Sequence, residues 1–244
     1  MAQTPQRSVF LRASWKHLLM ANFEVPAEVV APYVPKFCEV DFFEGKTYIS
    51  LVGFMFLNTR VLGIGFPWHR DFEEVNLRLY VRRQGSDGEW RRGVVFVKEI
   101  VPKWAIAKIA NWWYRENYVS LPMDHLLTAD KSSLQVGYIW QNKAEGYGMY
   151  AQAVNTAHPL VGGSVEEFIT EHYWGYARYD AATTVEYQVE HPRWETYPVQ
   201  SYQLKGDWAA MYGDAFGAYL QGTPSSVLLA EGSEILVRKP LIIK

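Results

Sequence analysis

Residues Phe72 to Val81 (FEEVNLRLYV) alternate with a period of two, the pattern of a β-strand. Val75, Leu77, Leu79 and Val81 fall on one face, and Glu74, Asn76 and Arg78 fall together on the other. A loop through Gly85 and Gly88 follows, and Arg92 to Ile100 (RGVVFVKEI) returns as a second strand, which gives an antiparallel hairpin. Thr47 to Leu57 (TYISLVGFMFL) is apolar at both alternating sets of positions, as in a strand covered on each side. The stretch from Tyr176 to Tyr202 reads as strands broken at Pro192 and Pro198. Ser226 to Ile243 reads as two strands around Glu231-Gly232-Ser233.

Helical patterns are fewer. A short one is expected at Pro26–Ala31. Pro102 opens a second over Lys103–Asn117, where Lys108, Asn111 and Arg115 form a narrow polar stripe on a mostly apolar cylinder. Ser164-Val-Glu-Glu offers a capping box for a helix reaching about Trp174, and Gly213–Gln221 is a further short candidate. No regular strand–helix–strand alternation appears, which argues against a doubly wound parallel sheet. The expected fold is therefore mainly β, an antiparallel barrel with a few packed helices, in one domain over residues 1–244.

Composition narrows the partners. The chain has 24 Lys and Arg against 26 Asp and Glu, a formal charge of −2, so it lacks the basic footprint of a nucleic-acid binder. Arg82-Arg83 and Arg91-Arg92 flank the hairpin tip and read as solvated charges. Cys38 is the single cysteine, which excludes an intrachain disulfide and fits a small buried hydrophobe near a strand start. Met1–Arg12 has no signal-peptide pattern, and no segment approaches the roughly 18 apolar residues of a membrane span. A cytoplasmic location with no membrane partner is the expectation, and the oligomeric state is left open, a homo-oligomer included. Aromatics make up 16% of the chain, enough for a thick core, a ring-lined pocket, or both.

No nucleotide-binding glycine loop, metalloprotease helix, paired cysteine motif or nucleophile elbow is present. Six histidines are scattered without ligand spacing, so neither a metal site nor a cofactor is expected. What remains is a polar constellation: Glu73, Glu74, Asn76, Arg78, Lys98, Glu99 and Lys103 on adjoining strands and a helix start. Such a row is either a solvated face with ordinary ion pairs or a set pointing into a barrel, where buried charges must pair or titrate abnormally. Lys103 would lie in the first helical turn beside Ile106, Ala107, Ala110, Trp113 and Tyr114. A helix N-terminus and apolar walls both favour the neutral amine, the form that attacks a carbonyl. The alternative is a side chain that snorkels to solvent.

The segments FEEVNLR (72–78), RRGVVFVKEIVP (91–102), EHYWGY (171–176), VEHPRWETYPV (189–199) and SVLLAEGSEI (226–235) resemble the YqjF-like bacterial family, domain of unknown function 2071. That family is similar in fold to acetoacetate decarboxylase, a cone-like β-barrel with an interior catalytic lysine. The resemblance implies that Phe72-Glu73-Glu74, Lys98-Glu99 and Pro102-Lys103-Trp104 match that enzyme's site segments, with Trp104 where it has a second lysine. Glu74 would then be the active-site glutamate and Lys103 the Schiff-base lysine; Arg60 and Arg78 are candidates for a carboxylate-binding arginine. Three readings follow. The first is a pocket protein for a small organic oxo acid, with Arg78, Asn76, Lys98, Glu99 and Tyr114 as binding residues. The second is a Schiff-base decarboxylase, aldolase or hydro-lyase using Lys103 and Glu74. The third is a non-catalytic structural or interaction module.

Overall fold

In a computed structural model, which describes residues 7–244, the alternating pattern at 72–81 opens a 13-residue strand. The first half of the Met1–Arg12 signal-peptide reading, residues 1–6, lies outside the described residues. In chain order the strands are β1 (Val9–Val25), β2 (Glu39–Val40), β3 (Thr47–Val61), β4 (Phe72–Gln84), β5 (Trp90–Val101), β6 (Tyr118–Ser120), β7 (Met123–Ala129) and β8 (Ser133–Asn142). They continue as β9 (Glu145–Val154), β10 (His158–Pro159), β11 (Trp174–Arg178), β12 (Thr184–Glu190), β13 (Glu195–Tyr197), β14 (Val199–Lys205), β15 (Ser226–Arg238) and β16 (Leu241–Ile243). The α-helices are α1 (Ala27–Val30), α2 (Trp104–Tyr114), α3 (Val165–Thr170), α4 (Trp208–Tyr212) and α5 (Asp214–Leu220).

Twelve strands form one sheet, along the path β10-β13-β15-β1-β3-β4-β5-β11-β12-β16, with β2 beside β4 and β6 beside β5. β12 also pairs with β15 at Val189–Val237 and Glu190–Leu236, so the path returns to a strand already in it. The mainly β expectation holds. The antiparallel one is corrected: β6 and β11 run parallel to β5, because the chain crosses back over α2 and α3 before rejoining the sheet. A second sheet of four antiparallel strands, β14-β9-β8-β7, covers the first.

The large sheet is buried on both faces. On one, Val75, Leu77, Leu79 and Val81 pack with Trp140, Tyr147 and Met149 of the small sheet and with Trp208 and Phe216 of α4 and α5. On the other, Phe54, Phe56, Phe72, Tyr80, Tyr114 and Tyr187 belong to a second, ring-rich core.

Several element boundaries differ from the sequence reading. Helix α2 starts at Trp104 with Lys103 as its extended N-cap, and ends where Arg115 takes a left-handed conformation (φ 59°). Ser164 does cap α3, its hydroxyl accepting from Glu167 N at 3.2 Å. The helix stops at Thr170 because Trp174 onward pairs with β5 and β12. The C-terminal stretch does hold two strands, but the break falls after Arg238, before β16, and β15 runs straight through Glu231-Gly232-Ser233. Gly232 (φ +79°) makes that possible, since a Cβ on it would lie 2.0 Å from the Trp15 carbonyl oxygen. The hairpin-tip arginines are not merely solvated. Arg83 and Arg91 join Arg7 on the fully buried Glu186, and Arg92 binds Asp41 at 2.6 Å.

Candidate functional site

A cavity of about 390 Å³ opens on the ring-rich face of the large sheet. Aromatic walls come from Phe10, Trp15, Phe54, Phe56, Phe72 and Phe96, and the period-two row of β4 lays Glu74, Asn76 and Arg78 along its floor. All three side chains are buried. Glu99 joins them from β5, opposite Asn76.

Lys98 does not. The β4–β5 register shifts between Leu77 and Arg78, with Leu77 opposite Lys98 and Arg78 opposite Phe96. This bulge lets Phe96 and Glu99, three residues apart, face the same hollow. Lys98 therefore leaves by the other face, where its ammonium donates to the Met211 carbonyl and sits 5.5 Å from the Tyr212 ring centre. Burial lowers its pKa. Lys103 is half-buried at the N-cap of α2 and is not part of the cavity wall; its carbonyl accepts from Ala107 N at 3.2 Å. Tyr114 does line the wall, and its hydroxyl donates to the Arg238 carbonyl at 3.4 Å. Arg60 is exposed.

Two residues that the sequence reading passed over complete an acidic end. The left-handed turn at Arg115 drops Glu116 into the cavity, and β6 brings Tyr118 behind it. Glu74 accepts from Asn76 Nδ2 at 2.9 Å and from the Tyr118 hydroxyl at 3.0 Å. Glu116 accepts from the Tyr187 hydroxyl at 2.8 Å. Burial pushes the Glu74 carboxyl up to about 7 despite those two donors, and the Glu116 carboxyl up to about 8. Glu99 is raised well above the usual range by burial and by the neighbouring Glu116 and Glu74 carboxyls. Burial disfavours the charged form of all three carboxyls, and they titrate as a coupled set. Glu99 Oε2 has no hydrogen-bond partner among the described residues.

The other end is basic. Arg78 donates to the Tyr80 hydroxyl and to the Ile169 carbonyl, both at 3.3 Å, and no carboxylate lies within 4.0 Å of it among the described residues. Beside it His172 is buried and pushed down to about 4 by desolvation, with Nε2 3.1 Å from Asp41. A buried guanidinium without a counter-ion is costly unless an anion completes it. The floor thus runs from a guanidinium with no ion pair within 4.0 Å among the described residues, near enough to favour the charged form of Glu74, to carboxyls whose pKa burial raises, under apolar walls. Away from this floor, Glu73, Asp124 and His125 bring ligand atoms within 4.8 Å of one another, but a 2.6 Å His125–Glu73 contact already joins two of the three.

Solved structures with this architecture define the class of fold. Acetoacetate decarboxylase from Legionella pneumophila aligns with a TM-score of 0.64 at 11% identity, over 100% of this chain and 91% of that one. The enduracididine biosynthesis enzyme MppR, complexed with pyruvate, gives 0.65 at 11% identity over 100% and 92%. An acetoacetate decarboxylase-like enzyme from Sphingomonas wittichii RW1 gives 0.65 at 10% over 97% and 94%. The fold is acetoacetate decarboxylase-like. The family is narrower: the profile of domain of unknown function 2071, described as an uncharacterized conserved protein, matches residues 12–234, and the chain belongs to that family. The uncharacterized protein YqjF of Bacillus subtilis (strain 168) is 34% identical over 79 residues, a match covering 32% of this chain and 33% of that protein's length. Among the described residues, no helix is long and apolar enough to cross a membrane.

Proposed function

We propose that the cavity binds a small, partly apolar oxo acid, in a protein that works in the cytoplasm without metal or cofactor. The observation that carries this reading is Arg78, a buried cation facing a hollow with no carboxylate within 4.0 Å among the described residues. A ligand carboxylate supplies the missing charge and takes the charge-assisted, fork-shaped hydrogen bonds that guanidinium favours. The protonated Glu99 carboxyl, unpartnered at Oε2, donates to the ligand's carbonyl oxygen, and the Phe and Trp walls cover its carbon skeleton. Pyruvate bound to MppR shows such an acid in a protein of this fold. The wall holds no lysine, so the geometry favours recognition over Schiff-base chemistry at Lys103.

Titrating the protein with 2-oxo and 3-oxo acids of increasing chain and ring size, followed by tryptophan fluorescence and calorimetry, tests this. Arg78→Met weakens the best acid by about ten- to a hundredfold, the loss of a charged hydrogen bond. Thermal unfolding of the variant checks that it folds. Saturable binding by no acid on the panel, or equal binding by Arg78→Met, overturns the reading. Borohydride reduction with the same acids leaves the protein mass unchanged; an adduct at Lys103 replaces this reading with the Schiff-base one.

A further inference from the structure

The two segments that frame the cavity mouth have an unusual outer surface. Phe66 and His69 of the β3–β4 loop and Ile106 and Ile109 of α2 line the opening. The segments lie side by side over Phe10: Leu62 N donates to the Phe10 carbonyl at 2.7 Å, and the Phe10 ring packs 5.1 Å from Trp113. Facing outward, Trp68 is 88% exposed, Trp112 71%, Trp104 64% and Ile64 59%. On α2 the outer stripe is Trp104, Lys108 and Trp112, four residues apart, where a surface helix ordinarily carries polar groups. Isolated exposed apolar residues are common in folded proteins, but large ones gathered around one opening mark an interaction surface.

Charge identifies the partner. Residues 58–70 and 103–115 contain five Arg and Lys (Arg60, Arg70, Lys103, Lys108 and Arg115) and no Asp or Glu, in a chain of net charge −2. The adjoining Asp71 accepts from Asn58 N at 2.7 Å. A two-fold contact between copies of this chain would set those five cations against the same five, which like-charge repulsion opposes. Tryptophans interleaved with Lys and Arg suit a bilayer surface, where rings sit at headgroup depth and cations meet anionic lipid. Lys108 holds its ammonium 5.0 Å from the Trp104 ring centre, so cation and ring are presented together. A chain without a spanning segment can still sit on a bilayer in this way.

We propose that the rim formed by the β3–β4 loop and the outer face of α2 docks on anionic lipid membranes, with the cavity mouth turned toward the bilayer. The inference stands independently of the ligand reading, because it rests on exposed residues outside the cavity floor. Co-sedimentation of the full chain is measured with vesicles of phosphatidylcholine alone and with vesicles containing one-third phosphatidylglycerol, with tryptophan emission recorded in parallel. The protein partitions onto the phosphatidylglycerol vesicles with a blue shift and not onto the neutral ones. Raising ionic strength from about 0.05 to 0.5 M releases it. Trp68→Ser with Trp112→Ser, and separately Lys108→Glu with Arg60→Glu, each reduce partitioning at least roughly tenfold. Both pairs are exposed, so thermal unfolding serves as the control that the variants are folded. Failure of the wild type to bind phosphatidylglycerol vesicles overturns the proposal. So does equal binding to neutral vesicles, unchanged binding by both variants, or a self-association in sedimentation analysis that the tryptophan substitutions abolish.

Discussion

Glu116 carries a clear pH signature. Its carboxyl is pushed up to about 8 and that of Glu74 to about 7, against 4.5 for a free glutamate. Over that interval the folded chain holds protons that the unfolded chain has released, so stability falls as pH rises. His172 has the opposite sign: lowered to about 4 from 6.5, it makes the unfolded chain the better proton binder in that window, and stability falls as pH drops. Its contribution is complete above 6.5, so between pH 6.5 and 8 the raised carboxyls act without it. The melting temperature therefore declines across that range. In Glu116→Gln the decline is shallower, because the amide keeps an acceptor for Tyr187 and has no proton to lose. Thermal unfolding in buffers at several pH values decides it, and identical slopes for the two proteins would count against the buried-acid cluster.

At the level of elements, the pairing of β11 with β12 holds the acidic end in place. Gly175 stands opposite Tyr187, and a Cβ built on it would fall 2.1 Å from the Tyr187 ring. That ring has little freedom, since it packs 4.8 Å from Tyr114 and its hydroxyl is bonded to Glu116. Gly175→Ala therefore overpacks a buried ring and costs about 1–3 kcal/mol in a denaturant melt, and it displaces the hydroxyl from Glu116. An unchanged midpoint would show that the two strands can slide apart. The same elements mark what the sequence could reveal. Glu74, Asn76 and Arg78 were legible because one period-two strand sets all three side chains on one face. Glu99 was legible beside them, but Lys98 was wrongly grouped with it, since a bulge depends on pairing register and not on local composition. Glu116 was hidden by a left-handed residue at Arg115, where the helical stripe gave no stop signal. Tyr187 reaches Glu116 from 71 residues away, a proximity that only the assembled sheet creates. Ser164 was readable because a capping box is local, whereas the length of its helix was decided by a distant pairing with β5.

At the scale of the whole molecule, one sheet separates a filled side from a hollow one. Behind β3 and β4 the space is closed by rings: Trp208 lies 6.0 Å from Trp140, 5.8 Å from Tyr147 and 6.4 Å from Tyr212, and it is 2% exposed. In front, the same strands present Glu74, Asn76 and Arg78 to a cavity. Alternation along β4 serves both, because its odd residues stabilise the layer behind while its even residues stay available to a ligand. The two faces should then be separable by mutation. Trp208→Ala empties part of the filled layer and costs about 3–5 kcal/mol of stability, which chemical denaturation measures directly. The cavity floor keeps its geometry because the β3–β4 and β4–β5 ladders lie between it and the lost ring. Affinity for whichever oxo acid binds best should therefore stay within about twofold, as expected for distant sites without shared partners. Loss of affinity in step with loss of stability would mean that the sheet transmits packing strain across its thickness, and that the hollow is held open by the layer behind it.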